Sequence, residues 1–315
     1  MSSMIQGIHH ITAIAGDAQE NLAFYSGMLG MRLVKKSVNQ DDPGTYHLFY
    51  ADAEGHPGTD LTFFPWANMP RGRKGAGLSV EVPLAVPAGS LDYWAERLER
   101  YGVKFAPIEV RFGERSLPLT DPHGLELSLV ETADPRLFTP WEGSPVPTEQ
   151  QVLGLHAARL WERSLATTAS FLIDVLGFER LVEDGGWVRF VVQGGGSGNI
   201  VDIQEVPDAQ QGRWGVGSVH HIAWRLPDEQ QQITLREQIV MAGAHPTGVI
   251  DRFWFKSVYF REPGGVLFEL ATDGPGFALD ENPEHLGEQL ILPPWLEPDR
   301  SKIEAALPVL NSPAT

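Results

Sequence analysis

The chain of 315 residues contains no cysteine. Disulfides, iron–sulfur clusters, thiolate zinc sites and cysteine nucleophiles are thereby excluded, and any metal must be held by nitrogen and oxygen ligands. No apolar run reaches transmembrane length. The N-terminus has no basic segment followed by an apolar stretch, so no signal peptide is expected and a cytoplasmic location is the default. Positive charge is scarce: 24 Lys and Arg stand against 41 Asp and Glu, a formal net charge of -17. Nucleic acid and anionic membranes recruit basic surfaces, so neither is expected as a partner. The charge gives no guide to oligomeric state, and a homo-oligomer is compatible with it.

Hydrophobic residues make up 42% of the chain, enough for a substantial core. They fall into four units with one plan: a short strand, an amphipathic helix, then further strands. The pattern predicts an α+β fold of four βαβββ modules, at residues 7–66, 77–131, 152–207 and 217–272. In the first module Asp17 is placed to cap a helix bearing Leu22, Phe24, Tyr25 and Leu29 on one face and ending at Gly30. The segment 133–150 is rich in proline and polar residues and suits a linker. It divides the chain into halves at 1–135 and 151–275, with an extension at 276–315 in which a short helix is expected near Ser301–Leu307. The linker 65–76 carries Arg71, Arg73 and Lys74 among glycines. It is expected to be a solvated surface loop; covering an active site or steering an anionic substrate is the alternative.

The modules repeat in register. Modules one and three align at an offset of 147, matching His9 with His156, Phe24 with Phe171 and Leu29-Gly30 with Leu176-Gly177. Modules two and four align at an offset of 141, matching Arg111 with Arg252 and Pro122-His123-Gly124 with Pro263-Gly264-Gly265. One motif breaks the symmetry. Ile8-His9-His10-Ile11-Thr12 opens module one, and Val219-His220-His221-Ile222 opens module four. In register, His10 falls on Ala157, His221 on Val80 and Glu269 on Ser128. Ligand-type residues therefore sit in modules one and four only. Module one is expected to face module four, leaving the other two to pair around a dead site.

Glu269 lies between Phe268 and Leu270. A buried carboxylate needs a cation or hydrogen-bond donors. A lone histidine beside an apolar strand is more often a packed residue than a ligand, but two repeated pairs with this glutamate favour a metal. Two imidazoles, one carboxylate and open positions form the facial triad of non-haem Fe(II) oxygenases, although zinc, manganese or nickel also suit such donors. Successive strand residues point to opposite faces, so one histidine of each pair enters a concave sheet face and the other does not, barring a bulge.

These features together resemble the vicinal oxygen chelate superfamily of glyoxalases, extradiol ring-cleaving dioxygenases and bleomycin-resistance proteins. Within it the chain is most similar to the hydroquinone-type ring-cleaving dioxygenases. The resemblance spans nearly the whole chain and rests on the two histidine motifs, Tyr46-His47-Leu48-Phe49-Tyr50-Ala51-Asp52, Gly55-His56-Pro57-Gly58-Thr59 and Gly264-Gly265-Val266-Leu267-Phe268-Glu269. It implies two tandem glyoxalase-like domains with cupped mixed sheets. It implies Fe(II), or Mn(II), bound by His10, His221 and Glu269, with a small aromatic diol and O2 as the reactants. It also implies catalytic roles for Tyr259 and Arg252, and for His9 as an acid or base beside the metal. Thr12, two residues after His10, is expected to share its face. Within the superfamily a glyoxalase-like isomerase or transferase and a metal-free binding protein are the alternatives.

Overall fold

The computed structural model describes residues 3–311. Module one contributes β1 (Ile8–Ala15), a helix α1 (Ala18–Leu22) that widens into a π-helix over Ala23–Met28, β2 (Arg32–Asn39), β3 (Asp42–Ala51) and β4 (Asp60–Pro65). Module two contributes β5 (Leu78–Pro87), α2 (Leu91–Arg100), β6 (Lys104–Phe105), β7 (Glu109–Arg111), β8 (Glu114–Thr120) and β9 (Glu126–Thr132). Module three contributes β10 (Gly154–Leu155), β11 (Ala157–Glu162), α3 (Leu165–Asp174), β12 (Glu179–Asp184), β13 (Trp187–Val191) and β14 (Ile200–Glu205). Module four contributes β15 (Ser218–Leu226), α4 (Glu229–Met241), β16 (Ile250–Asp251), β17 (Lys256–Arg261) and β18 (Leu267–Thr272). A short helix α5 (Arg300–Ala306) lies in the tail.

Asp17 caps α1 as its sequence position predicts, accepting from the backbone N–H of Gln19 and Glu20 at 2.8 and 2.9 Å. The helix differs from the even amphipathic stretch expected. Leu29 N–H bonds back to Phe24 O, five residues earlier, so the last turn is π-type. That turn buries Phe24, Tyr25 and Met28 together.

The eight-stranded sheet has the order β16-β17-β18-β15-β1-β4-β3-β2 and is built from modules four and one. The ten-stranded sheet runs β12-β13-β14-β11-β5-β9-β8-β6, with β10 beside β5 and β7 beside β8, and is built from modules three and two. Both sheets are mixed and curled into cups. Each is completed across the two halves of the chain, through antiparallel pairing of β1 with β15 and of β5 with β11. The facing of module one by module four follows the register reading.

Strand pairing corrects one part of that reading. His221 lies opposite Thr12, whereas Arg159, the counterpart of Thr12, lies opposite Glu81. The counterpart of His221 is therefore Glu81, not Val80. One residue of slip separates β5 and β15 from the offset that aligns the later strands. The second cup thus keeps one ligand-type residue.

The tail fills and covers the first cup. Phe277 packs on Phe49 at 5.1 Å between ring centroids and Leu286 joins the same cluster. Lys35 is fully buried; its ammonium donates to Phe277 O at 3.0 Å, to Asp280 at 2.8 Å and to Glu281. Ile291 N–H bonds Lys36 O at 2.9 Å, which covers β2, the edge of the sheet. Gly287 permits this approach, since a Cβ there would lie 1.8 Å from Leu33 O.

Candidate metal centre and active site

Two β-bulges build the site. The β1–β15 register slips between Ile8 and His10 and again between Thr12 and Ala13, so His9 and His220 are the extra residues. Ile8 and Ile11 are three apart yet both pack in the main core, as do Val219 and Ile222. Simple alternation would send the members of each pair to opposite faces. The bulge instead takes both histidines of each pair off the core face, meeting the condition that alternation set for His9. On β18, Phe268 and Leu270 enter the core, and Glu269 turns the other way, beside Tyr259 across the β17 ladder.

The three expected ligands converge. His10 Nε2 lies 3.2 Å from His221 Nε2 and 3.3 Å from Glu269 Oε2, and His221 Nε2 lies 2.9 Å from that same oxygen. All three residues are buried. Among the described residues they form a group of nitrogen and oxygen donors within 4.8 Å of one another, compact enough for one metal ion. Glu269 Oε1 accepts from the Ser257 hydroxyl, while Oε2 has no hydrogen-bond partner. Burial raises the Glu269 pKa, but His10 and His221 lower it further, leaving it well below the usual range. An ionised, buried oxygen lacking a donor fits a cation.

The other histidine of each pair contacts the candidate ligand. His9 Nδ1 and His10 Nδ1 are 2.9 Å apart, and His220 Nδ1 and His221 Nδ1 are 2.8 Å apart. A ligand that presents a bare Nε2 carries its proton on Nδ1, so His10 and His221 donate and His9 and His220 accept. Burial, with the neighbouring ligand histidine, pushes His9 and His220 down to about 3, so both are neutral acceptors at pH 7. His220 is also stacked on Trp214 at 4.4 Å.

A cavity of about 40 Å³ opens at the triad, walled by Phe49, Phe64, Trp254 and Phe255. Tyr259 and Arg252, to which the resemblance assigns catalytic roles, line it. Burial and Glu269 raise the phenol pKa, so Tyr259 stays protonated. The Arg252 guanidinium lies 5.5 Å from the Tyr259 ring centre and is held by Asp41 at 2.8 Å. Thr12 does not line the cavity. Its hydroxyl meets that of Thr62 at 2.7 Å, and Thr62 meets His47 Nε2 at 3.0 Å. His47 does line the cavity and was not singled out by the sequence reading. The available signal was its two-residue spacing from Phe49 on β3, which puts both on one face.

Two cupped mixed sheets of βαβββ units, with a buried His-His-Glu cluster suited to a metal in one cup, are the architecture of the glyoxalase type. The chain belongs to the Glyoxalase/Bleomycin resistance protein/Dioxygenase superfamily, whose family model matches residues 7–129 and 154–270. It stands with the ring-cleaving dioxygenases of that superfamily. It is 44% identical over 307 residues to MhqO of Bacillus subtilis (strain 168), provisionally named a ring-cleaving dioxygenase, covering 98% of this chain and 97% of that one. It is 33% identical over 320 residues to the chlorohydroquinone/hydroquinone 1,2-dioxygenase of Sphingobium indicum, covering 98% and 97%. The crystal structure of a provisionally named dioxygenase from Bacillus subtilis subsp. subtilis str. 168 superimposes with a TM-score of 0.94 at 42% identity, covering 100% of this chain and 99% of that one. Glyoxalase I from Zea mays, at TM-score 0.62 and 16% identity over 85% of this chain and 92% of that one, shares the fold.

Proposed function

We propose that the protein is an Fe(II)-dependent dioxygenase that opens the ring of a hydroquinone or catechol-type diol and inserts both atoms of O2. The observation that carries this reading is the triad of two bare imidazole nitrogens and one carboxylate oxygen without a donor, two of whose members, His10 and His221, line an aromatic-walled cavity. The same donors accept Mn(II). When bound, the ion supplies adjacent coordination positions at which diol and O2 meet, in place of a chance encounter in solution.

The protein side of the reaction follows from the cavity. Phe49, Phe64 and Phe255 form an apolar wall against which an aromatic ring would pack once the side chains part to admit it. Tyr259, kept protonated, donates a hydrogen bond or a proton to a substrate oxygen. Arg252 stabilises negative charge that develops on the ring oxygen during cleavage. His9 and His220 hold the ligand imidazoles in the binding tautomer. The Thr12–Thr62 pair fixes the His47 ring, whose position on the cavity wall suits it to a substrate hydroxyl. A glyoxalase-like isomerase would call for a second carboxylate ligand, and the donor group holds only Glu269.

Oxygen uptake tests the reading. Protein purified without air and loaded with Fe(II) should consume one O2 per hydroquinone or catechol opened, and His10→Ala should abolish uptake. Bound iron with no uptake on any diol, or uptake that survives His10→Ala, would contradict it.

A further inference from the structure

A second and larger cavity, of about 200 Å³, lies where the two sheets meet, beside the starts of β5 and β15. We propose that it binds a small organic anion, a carboxylate carried on an apolar body. Leu78, Val80, Leu125 and Val216 give it an aliphatic wall, and Arg71 and Lys74 stand at its rim. An apolar cavity of about 150 Å³ holds benzene, so this one has room for a ring or a short chain with its charge at the rim.

The site is built, not a chance gap between loops. Segments 70–77 and 210–217 cross and pair, with Arg73 and Arg213 exchanging backbone hydrogen bonds of 2.9 Å. The expected free surface loop is therefore a fixed strap. The Arg71 guanidinium donates to His123 O at 3.2 Å and rests on Gly124, where a Cβ would come within 2.9 Å of it. Its other N–H groups remain available. Among the described residues Arg71, Arg73 and Arg213 make their side-chain bonds to carbonyl oxygens and none to a carboxylate. Lys74 is paired with Glu126 at 2.5 Å and lies over Trp161. Glu126, which also lines the cavity, is neutralised by Lys74, so Arg71 stands there as the cation without an acidic partner, with Arg73 and Arg213 in the adjoining strap.

The internal repeat shows how the cavity arises. At the offset that relates β5 to β15, Lys74 corresponds to Trp214 and Val80 to His220. Trp214 stacks on His220 at 4.4 Å and covers it. With lysine in place of that indole, Val80 lines the cavity. The apolar wall with a cationic rim favours an amphipathic anion over a bare ion. Opening a ring beside a hydroxyl-bearing carbon yields such a carboxylate, but the binding site stands independently of the proposed activity.

Fluorine NMR of 4-fluorobenzoate added to the full-length protein tests the proposal. The expected result is a saturable shift, weakened at least tenfold by Arg71→Gln, abolished by Lys74→Trp and unchanged in His10→Ala. 4-Fluorobenzamide, which keeps the ring and loses the charge, should bind at least tenfold more weakly. Inorganic phosphate should compete poorly. Circular dichroism melting curves matching the wild type show that the variants fold. No saturable binding, binding indifferent to both rim substitutions, or binding lost in His10→Ala would overturn the proposal. Phosphate competing as strongly as benzoate would overturn the apolar half of it.

Discussion

The two cups share a scaffold and differ in what balances charge at the centre. Both carry a bulge at the same two places, at His9 and His220 in one and at His156 and Val80 in the other. In the first cup His10, His221 and Glu269 surround a position suited to an exchangeable cation. In the second their counterparts are Ala157, Glu81 and Ser128, and a protein cation reaches the same neighbours. The guanidinium of Arg159 binds Glu81 and lies 3.3 Å from the Ser128 hydroxyl. Asp202 and Arg189, at 2.8 Å, and Glu114 extend the network, with His156 Nε2 3.3 Å from Glu114. Arg159 stands where Thr12 stands in the first cup. One cup is thus closed by a tethered charge, and the other leaves a cavity beside its cluster of unsatisfied donors.

The comparison breaks most sharply if the first cup is given the second cup's residue. Glu269→Ser should abolish stoichiometric metal binding and lower turnover by roughly a thousandfold or more, because the anionic ligand is lost; metal analysis and oxygen uptake report both. The reverse experiment removes the tethered charge. Arg159→Met leaves the half-buried Glu81 facing an uncharged side chain while Asp202 keeps Arg189, and should cost about 1–3 kcal/mol in denaturant unfolding. Turnover of the folded fraction should stay near wild type, since the first cup is untouched.

A smaller effect is expected from the residues that set ligand tautomers. His220→Phe removes the acceptor from His221 Nδ1 and should weaken metal binding by about 10–100-fold, measured by competition with a chelator. Equal affinity in the variant would show that the pairing is only packing. A last effect, read in stability and not in turnover, concerns the seam between the cups, where the carboxyl groups of Glu162 and Glu262 meet. Burial and Glu262 push Glu162 up to about 9. Its folded form keeps a proton that the unfolded chain releases above its ordinary value near 4.5. Stability from this group is full below about pH 4.5 and is lost as pH rises toward about 9, by at most about 1.4 kcal/mol per pH unit. Glu162→Gln should therefore melt higher than wild type at pH 8 and equal to it near pH 4.5.

Much of this contrast was legible before any coordinates. The repeat and the pairing of module one with module four follow from register, and Glu269 stands out between Phe268 and Leu270; the choice of His10 and His221 within their pairs rested on the family resemblance. Three things were hidden for physical reasons. Bulges add a residue to one strand only, so the sequence shows two histidines where a pleat has a place for one. The tell was an apolar pair three residues apart, Ile8 with Ile11 and Val219 with Ile222, which alternation forbids on one face. The slip that makes Glu81 the counterpart of His221 lies between β5 and the later strands of module two. The glycine and proline markers sit beyond it and report only the later offset. The tail reads as weakly patterned because it is held by carbonyls, by Lys35 and by a few anchors such as Phe277, not by a periodic face.

Metal stoichiometry tests the central claim most directly. Protein loaded with Fe(II) without air and freed of excess should hold one ion per chain, and Glu269→Ser should hold none. Two ions per chain, or one ion retained in Glu269→Ser, would contradict the account of one open and one closed cup.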